Sequence, residues 1–446
     1  METEELYQIF TKHPEITTDS RCCPEGSIFF ALKGGTFNGN AYALKALEQG
    51  CSYAVVDEPE YADAADNTMF KGRIILVDNV LVALQQLANF HRRQLGTTVI
   101  GITGTNGKTT TKELVAAVLS KKFNVLYTQG NFNNHIGVPK TLLRLTKEHE
   151  MAVVEMGANH PGEIKTLVNI VEPDYGLITN VGRGHLLGFG SFEGVIKTKG
   201  ELYDFLREHG GKVFINNDND ILLDIASNLE LIRYGQKDNA ELYAKGHLLG
   251  SNPFLTFEWN GREVQTRLIG AYNIDNALAA AAIGRYFGVE DEAICNAISE
   301  YTPSNNRSQF KQTANNALII DTYNANPTSM GAAVSNFRNM KADNKMCILG
   351  KMGELGKYAY EEHHKLVSEL LSCGFTCIWL VGEEFAEVFS SESNVHEDAF
   401  RLPDHVRLFS NVEEVKSAIA VEKPQGKTIL IKGSNSTKLF ELPELL

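Results

Sequence analysis

A chain of 446 residues exceeds what one hydrophobic core usually organises, so about two to four domains are expected, and the segment pattern favours three. The composition, 43% hydrophobic and 22% charged, is that of a globular protein and excludes a disordered or fibrous chain. The balance of 42 Lys and Arg against 55 Asp and Glu gives a formal net charge of -13, which opposes general binding to nucleic acids.

The N-terminus and the cysteines favour a reduced, cytoplasmic protein. METEELYQIF lacks a basic segment followed by an apolar core, and no later run approaches the roughly 20 apolar residues that span a bilayer. The seven cysteines are scattered without paired CxxC spacing, which argues against a disulfide framework or a zinc site. We therefore expect a cytoplasmic protein with reduced core thiols, no nucleic-acid partner and no membrane insertion. The sequence says little about oligomeric state, and a monomer is the default expectation.

The N-terminal segment alternates short apolar runs with polar turns. SIFFAL, YAVVD and GRIILVD are typical of strands, and AYALKALEQG is typical of a helix. LVALQQLANFHRRQL places its leucines on one helical face and ends in basic residues, as a helix C-terminus favours. The pattern predicts a small mixed α/β domain over residues 1–95, followed by a new domain.

The next segment repeats one unit, an apolar strand followed by a polar loop. TTVIGIT, MAVVEMG, YGLITNVG and KVFINND show this unit, with helical stretches between them. Such alternation is typical of a mostly parallel sheet covered by helices. We predict a central domain of this kind over residues 96–303.

The strand pattern restarts after AYNIDNALAAAAIGRYFGV and the loop TPSNNRS. ALIID, KMCILG, CIWLVG and TILIKG are each followed by a stretch compatible with a helix. This order predicts a Rossmann-like C-terminal domain over residues 304–446. The predicted fold class is therefore α/β with three domains.

A phosphate-binding loop is the clearest functional motif. Residues 97–120 place a Gly-rich turn, Lys108 and several threonines between an apolar strand and an amphipathic helix. Glycines allow backbone N–H groups to point at phosphate oxygens, Lys108 would reach the β- and γ-phosphates, and the Thr109 hydroxyl would hold magnesium. The strict GxxxxGK[ST] pattern would need glycine where Ile102 stands, so the motif has the form GTNGKTT and predicts a nucleoside triphosphate substrate. The predicted nucleotide-binding residues of this loop are Gly104, Thr105, Asn106, Gly107, Lys108, Thr109 and Thr110.

GTNGKTT after a strand resembles the Mur ligase family, which includes the folylpolyglutamate synthases and makes amide bonds from ATP through acyl phosphates. Further segments resemble the branch that adds D-alanyl-D-alanine to a UDP-muramoyl tripeptide in peptidoglycan precursor synthesis, and the DNPR-type signature of the neighbouring branch is absent. The resemblance implies an acid–amino-acid ligase that consumes ATP, forms ADP and phosphate, and takes the UDP-muramoyl tripeptide and D-alanyl-D-alanine as substrates. The segments are NFNNHIGVP at 131–139, HLLGFGS at 185–191, KTKGEL at 197–202 and YNANPTSM at 323–330.

The resemblance also implies two magnesium sites. Glu155 ends the strand MAVVE and His185 follows the strand YGLITNV, and such carboxyl ends line the ligand crevice of open α/β sheets. By resemblance Glu155 and Thr109 share one ion, while His185 and Lys199 hold the second. Because an ammonium group cannot ligate a cation, the resemblance implies a carbamate on Lys199 that supplies anionic oxygens; a surface lysine in an unmodified KTKGEL is the alternative. The predicted catalytic residues are Lys108, Glu155, His185 and Lys199.

Further ATP contacts are implied around the C-terminal domain. Asn276 matches the residue that meets adenine, although an asparagine near a helix start is often a cap. Arg307 matches a contact near the phosphates and Asp321 one near the ribose, with Asn324 and Asn326 extending the cluster. Because these contacts come from two domains, we expect closure of the third domain to assemble the site.

The substrate-binding segments carry weaker signals. DSR and GSIFFALKG resemble the nucleotide-sugar-binding domain of the family, which makes Ser20 and Arg21 candidate contacts for the UDP group. GKMGELG and KGSNSTK resemble segments around the incoming dipeptide, and turns that cap strand ends are an equal alternative.

Other functions stay open at the level of sequence. One alternative is another ligase of this fold, one that adds a single amino acid or a folylpolyglutamate synthase, and YNANPTSM and NFNNHIGVP argue against it. A non-catalytic nucleotide-binding module is less favoured. Its only hints are Leu187 and Lys351, which stand where the family pattern has acidic residues. The third residue of the tripeptide, meso-diaminopimelate, lysine or another, is also open.

Overall fold

Three sheets, in consecutive stretches of the chain, organise the computed structural model, which describes residues 1–65, 68–303, 306–389 and 401–446. Each sheet carries helices, so the predicted α/β class with three units is the observed one. The predicted boundaries at 95/96 and 303/304 stay predictions, and the second adjoins residues 304–305, which lie outside the described residues.

The N-terminal unit has a small parallel sheet with strand order β1-β2-β3-β4. Its elements are α1 (Thr3–Phe10), β1 (Ile16–Thr17), β2 (Ile28–Phe30), α2 (Ala43–Glu48), β3 (Tyr53–Val56), α3 (Pro59–Ala65), β4 (Ile74–Leu76) and α4 (Val80–Leu95). All three residues of β2 are buried, as expected for a parallel strand covered on both faces. Helix α4 begins at an Asn79 cap, and its Arg92 donates to the carbonyl oxygens of Val171 and Glu172 of the central unit. This helix therefore fixes the N-terminal unit against the next one.

The central unit is a sheet with strand order β13-β12-β11-β10-β9-β8-β5-β7-β6. Its elements are β5 (Thr98–Thr103), α5 (Lys108–Leu119), β6 (Val125–Tyr127), α6 (Gly137–Leu142), β7 (Met151–Glu155), α7 (Glu163–Val171), β8 (Tyr175–Ile178), α8 (Leu186–Phe189), α9 (Phe192–His209), β9 (Lys212–Asn216), α10 (Asp220–Ile225), β10 (Glu230–Gly235), β11 (Ala244–Ser251), β12 (Phe254–Trp259), β13 (Arg262–Ile269), α11 (Ile274–Tyr286) and α12 (Asp291–Glu300). From β11 across β10, β9, β8, β5 and β7 to β6, adjacent strands are parallel. Strand β12 pairs antiparallel with both β11 and β13. Strand β5 lies between β7 and β8, so the loops after these three strands meet at one edge.

The C-terminal unit is a sheet with strand order β14-β15-β19-β16-β17-β18. Its elements are β14 (Gln309–Gln312), β15 (Ala317–Asp321), α13 (Pro327–Asn339), β16 (Lys345–Gly350), α14 (Ala359–Ser372), β17 (Cys377–Val381), α15 (Glu383–Phe389), β18 (Val406–Phe409), α16 (Val412–Glu422) and β19 (Thr428–Lys432). The edge strand β14 is antiparallel to β15, and the other described pairs are parallel.

No helix within the described residues has the length and apolar character needed to cross a bilayer. The cysteines are all free thiols. The expectation that they lie in the core is wrong for Cys22, which is exposed, whereas Cys51 and Cys347 are buried.

Candidate active site

The loop between β5 and α5 is held in a curled form by the end of β8. Gly104 has a φ of +143°, and a Cβ at this position would collide with Thr179 Oγ1, so only glycine fits without strain. The next two N–H groups are fixed by Asn180: Thr105 N donates to its carbonyl at 2.9 Å, and Asn106 N donates to Oδ1 at 3.1 Å. The loop geometry therefore depends on contacts with the neighbouring strand as well as on its own glycines.

Helix α5 begins at Gly107, and Asn276 packs directly against that point. Gly107 has a φ of +78°, and an added Cβ would lie 2.6 Å from Asn276 Oδ1. The same Oδ1 accepts a 3.0 Å hydrogen bond from Thr111, and Asn276 Nδ2 donates to Asn273 at 2.8 Å. The predicted alternative of a helix cap does not hold for Asn276, which lies inside α11 and makes no cap bond. Its amide instead joins the start of α5 to the start of α11, beside a helix N-terminus suited to phosphate.

Asp275 lies next to Asn276 on the cleft side of α11. Burial raises the pKa of Asp275 to about 6, and the nearby Asp218 carboxylate acts in the same direction. Gln236 donates a 3.4 Å hydrogen bond to this carboxylate. The Asp275 carboxyl group therefore lines the cleft beside Asn276.

Lys108 lies in the first turn of α5 with its side chain folded over the loop. Its Nζ donates to the carbonyl oxygens of Gly104 at 2.8 Å and Thr105 at 3.0 Å. Burial lowers the pKa of Lys108 to about 8, the Glu155 carboxylate opposes this shift, and the positive charge of Arg307 adds to it. A phosphate group would therefore meet a cation that is poorly solvated and available for pairing.

Glu155 ends strand β7 and is 1% exposed. Its Oε1 accepts hydrogen bonds from Asn133 Nδ2 at 2.8 Å and from Thr109 Oγ1 at 3.3 Å. Its Oε2 is buried and has no hydrogen-bond partner among the described residues. Leaving a buried polar atom without a partner costs about 1 to 3 kcal/mol or more for a charged group, so this oxygen suits a cation.

His185 and Lys199 lie on the other side of the loop. His185 precedes α8 at a φ of +52°, and its Nδ1 contacts the carboxylate of Glu354. Lys199 is 2% exposed on α9, and its Nζ donates to the Ala158 carbonyl at 3.2 Å. The alternative of a surface lysine is wrong for Lys199, whereas Lys197 in the same segment is exposed.

The environment of Lys199 disfavours its charged form. Burial lowers the pKa of Lys199 well below its usual value, and the positive charge of Lys108 adds to this effect. In the residues that the structure describes, no group of three or more His, Cys, Asp or Glu side chains could hold a metal ion. Any magnesium ion here would therefore need further donors, such as the Thr109 hydroxyl, phosphate oxygens or a modified lysine.

The C-terminal unit supplies a second cluster of charged groups. The Arg307 guanidinium carbon lies 3.6 Å from the centre of the Tyr323 ring, and its Nε has no hydrogen-bond partner within the described ranges. Asp321 at the end of β15 pairs with Lys432 at the end of β19, with 2.6 Å between Oδ2 and Nζ. Lys432 also donates to the Asn324 carbonyl at 3.2 Å. Strand ends of the third sheet thus face the phosphate-binding loop.

Amide groups join the two units across the cleft. Asn326 caps α13 by accepting from Ser329 N at 2.9 Å, and its Nδ2 donates to Asn106 Oδ1 at 2.8 Å. The Asn106 amide returns a longer hydrogen bond of 3.4 Å to Asn326. Asn326, predicted as an ATP contact, therefore serves as a helix cap and as a contact between units in this structure.

The loop before α8 makes further contacts with the C-terminal unit. Arg183 pairs with Glu362, with 2.6 Å between Nε and Oε1, and its backbone N donates to Thr328 Oγ1 at 3.0 Å. Leu187 N donates to the Glu354 carbonyl at 2.9 Å, and the Leu187 side chain is exposed. Leu187, one of the two departures from the family pattern, therefore places an apolar side chain beside the loop that carries Glu354. The other departure, Lys351, pairs with Glu384 at 2.8 Å.

These groups surround one cleft of about 810 Å³, within the range of small-molecule sites. The N-terminal unit contributes Leu81 and Gln85 of α4. Ser20 and Arg21 lie elsewhere: Arg21 pairs with Asp19 at 2.8 Å on an exposed surface. The predicted residues that line the cleft are Thr105, Asn106, Gly107, Lys108, Thr109, Thr110, Glu155, His185, Asn276, Arg307, Asp321 and Asn324, and those that do not are Ser20, Arg21, Gly104, Lys199 and Asn326.

The sequence analysis did not name several side chains of this site, among them Asn133, Asn180, Tyr323 and Lys432. Asn133, Tyr323 and Lys432 lie in motif segments that were singled out as wholes, so the motifs contained the signal without identifying the residue. Asn180 follows β8 in a stretch assigned only as a strand end, and no spacing relates it to the loop it holds.

Three family models match successive parts of the chain. The model described as "Mur ligase family, catalytic domain" matches residues 14–92, "Mur ligase middle domain" matches residues 102–284, and "Mur ligase, glutamate ligase domain" matches residues 306–435.

Similar proteins extend over nearly the whole length. The UDP-N-acetylmuramoyl-tripeptide--D-alanyl-D-alanine ligase of Escherichia coli (strain K12) is 34% identical over 438 residues, which cover 97% of this chain and 93% of that protein. The ligase of the same name from Bacillus subtilis (strain 168) is 33% identical over 431 residues, 96% of this chain and 92% of that one. A crystal structure of MurF from Acinetobacter baumannii has a TM-score of 0.83 at 30% identity and covers 99% of this chain and 97% of that chain.

Proposed function

The chain belongs to the Mur ligase family, and from this premise we propose that it uses ATP to join D-alanyl-D-alanine to a UDP-N-acetylmuramoyl tripeptide. The full-length similarity to ligases of that name favours this substrate pair over a single amino acid or a folate. The single structural observation that carries the proposal is Glu155. Its unpartnered buried oxygen lies beside the phosphate loop, which suits a catalytic metal–triphosphate site rather than a passive nucleotide-binding module.

The nucleotide would lie along the cleft with its phosphates on the loop at Lys108. Backbone N–H groups at the start of α5 and the Lys108 ammonium would bind the β- and γ-phosphates. Asn276 would contact the adenine, and Arg307 and Asp321 would contact phosphate and ribose from the C-terminal unit. The residues around Glu155 fit magnesium because hard cations prefer carboxylate, hydroxyl and phosphate oxygens, and Thr109 supplies the hydroxyl.

We further propose that Lys199 carries a carbamate that holds a second magnesium ion with His185. A neutral lysine amine can attack carbon dioxide: its nitrogen forms a bond to the carbon, one C=O π bond breaks with its electron pair moving to oxygen, and one proton leaves to solvent. Burial lowers the pKa of Lys199, which favours that neutral amine. Bound magnesium would neutralise the charge that develops as the γ-phosphoryl group moves.

The protein groups then serve two successive steps. In the first, an oxygen of the tripeptide carboxylate attacks the γ-phosphorus and the bond to the ADP oxygen breaks, with Lys108 and Arg307 stabilising the negative charge. In the second, the amine nitrogen of the dipeptide attacks the acyl carbon. The bond from that carbon to the phosphate oxygen then breaks, so that phosphate leaves with the electron pair. The attacking nitrogen gives one proton to solvent and keeps one in the new amide. Contacts of Arg183 and Asn326 hold the C-terminal unit over the cleft, where it would keep water from the acyl phosphate.

Further assignments follow from the same proposal. Ser20 and Arg21 would bind the UDP end of the substrate on the N-terminal unit. We infer a cytoplasmic location, because ATP is a co-substrate, and a role in building the cell-wall precursor. A monomer is proposed as the working state.

Phosphate release by the purified protein tests the proposal. The reaction would contain ATP, magnesium and UDP-muramoyl tripeptide, with and without D-alanyl-D-alanine, and a Lys199→Ala variant would be the control. We expect release that depends on the dipeptide and yields the UDP-muramoyl pentapeptide by mass spectrometry. Release driven by a single amino acid or a folate would keep the fold and change the substrate, and no turnover with any acceptor would favour a binding module. Parallel reactions with lysine and meso-diaminopimelate tripeptides would identify the third residue.

A further inference from the structure

Glu354 places a carboxylate of the C-terminal unit against His185, a residue that lines the active-site cleft. Its side chain contacts His185 Nδ1, and its carbonyl oxygen accepts the 2.9 Å hydrogen bond from Leu187 N. A glutamate side chain carries a negative charge at neutral pH. A negative charge is therefore fixed beside a residue that lines the cleft.

The backbone at Glu354 adopts a conformation that its side chain disfavours. Its φ is +59°, in the left-handed region, which strains a residue other than glycine. Gly353 precedes this position and Gly356 follows it at a φ of +55°, so the turn is of a kind that glycine forms without strain. The contacts with His185 and with Leu187 of α8 maintain the strain, and they place the carboxylate beside His185.

The acidic groups that line the cleft already have partners that match different tasks. Glu155 accepts from Thr109 and Asn133, and Asp321 pairs with Lys432. Glu163 accepts from the backbone N–H groups of Asn159 and His160. Asp275 lines the cleft beside Asn276.

Glu354 differs from these groups in its accessibility. Its side chain is 54% exposed, and within the described part of the chain its carboxylate makes a close contact with His185 alone. A carboxylate has two oxygens and about four acceptor directions, so one oxygen can stay on His185 while the other receives a second donor.

The second step of the proposed reaction brings a cation to this place. A free dipeptide carries an ammonium group at neutral pH, and its nitrogen must reach a carbonyl next to the phosphate loop and His185. Because an ammonium group loses hydration in a closed cleft, it needs an anionic partner there. We propose that Glu354 binds the ammonium group of the acceptor dipeptide and positions its nitrogen at the acyl phosphate, an inference that rests on the proposed function. One proton then leaves to solvent, and the freed lone pair of the nitrogen attacks the acyl carbon.

The two half-reactions separate this role from others. Acyl phosphate formation needs only ATP and the tripeptide substrate, and hydroxylamine traps the acyl group as a hydroxamate. Hydroxylamine is largely uncharged at neutral pH, so it does not need an ammonium site. We would measure the hydroxamate rate without dipeptide, and the KM for D-alanyl-D-alanine in the complete reaction, for the wild type, Glu354→Gln and Glu354→Ala.

The expected result is a selective effect on the dipeptide. Losing a charge-assisted hydrogen bond worth about 1.5 to 3 kcal/mol raises the KM for D-alanyl-D-alanine about 10- to 150-fold in Glu354→Gln. The hydroxamate rate and the KM for ATP stay within about twofold of the wild type, since neither involves the ammonium group. Should the alanine variant unfold, the glutamine variant keeps the shape of the side chain and carries the test.

Glu362→Gln is the matched control, because it removes the other ion pair between the loop before α8 and the C-terminal unit. If Glu354 only holds the units together, both variants lose hydroxamate formation and neither raises the dipeptide KM selectively, which would overturn the inference. A Glu354→Gln enzyme with wild-type kinetics for D-alanyl-D-alanine would overturn it as well. If the wild type forms no hydroxamate, the proposed function itself fails, and that outcome is distinct from the first two.

Discussion

Replacing Gly107 by alanine tests the joint between the phosphate loop and Asn276. At a φ of +78° an L side chain costs about 1 to 2 kcal/mol. The new Cβ would also lie 2.6 Å from Asn276 Oδ1, so Asn276 must move and its bond from Thr111, worth about 1 kcal/mol, is lost. If the unliganded loop relaxes to a conformation without this strain, nucleotide binding must return the loop to the strained conformation. That costs about 2 to 3 kcal/mol, which weakens affinity about 30- to 150-fold.

Calorimetric titration with a non-hydrolysable ATP analogue and magnesium would measure this loss. Gly210→Ala is the control for backbone strain alone: it has a φ of +72° at the end of α9, and nothing lies within 4 Å of its added Cβ. We expect Gly210→Ala to lower the free energy of unfolding by about 1 to 2 kcal/mol without changing nucleotide affinity. Binding by Gly107→Ala within threefold of the wild type, or an equal loss in Gly210→Ala, would refute the reasoning.

Three further results are expected from charge and domain arrangement. Because the cationic form of Lys108 binds phosphate and its pKa is lowered to about 8, kcat/KM for ATP should fall as pH rises through about 8, and a flat profile to pH 10 would contradict this. Burial lowers the pKa of the unmodified Lys199 amine well below its value in the unfolded chain, so at neutral pH this side chain destabilises the fold. Lys199→Met should therefore raise the unfolding temperature by calorimetry while activity falls about 100-fold or more; a lower unfolding temperature would count against the burial argument. Small-angle X-ray scattering should show compaction with an ATP analogue and the tripeptide substrate, and an unchanged profile would argue against closure of the third domain.

Strong periodic segments predicted much of the fold. The apolar face of α5, with Leu114, Val115, Val118 and Leu119, is fully buried as its spacing indicates. The strands before the three main loops begin within one residue of their predicted places, although β8 ends at Ile178, before the predicted end of YGLITNV. The outer strands of the central sheet were missed. β12 alternates buried and partly buried residues as a half-covered strand should, but its neighbours are long, polar and irregular, with bulges that interrupt the alternation. Edge strand β14 is partly buried along its length, which leaves little hydrophobic pattern to detect.

Residues of the candidate site could be predicted where the functional residue types and their spacing both lie within one short segment of the sequence. Gly104, Gly107 and Lys108 follow from the loop motif. Partners far apart in the chain do not: Lys432 reaches Asp321 across 111 residues, because two parallel strands end at the same edge of the third sheet. The burial of Lys199 is also a tertiary effect, since KTKGEL is polar by composition and is covered only when α9 packs against α7 and Phe189.

The contacts between the central and C-terminal units bear on how long a bound molecule would stay. The amide pair of Asn106 and Asn326 and the ion pair of Arg183 and Glu362 hold together two units that both line one cleft. A compound enclosed there could leave only after these contacts separate, so its dissociation rate would be set by opening of the units and not by its own affinity alone. Inhibitors that bridge both walls would therefore gain most in residence time, and screening by dissociation rate would rank them differently from screening by equilibrium binding.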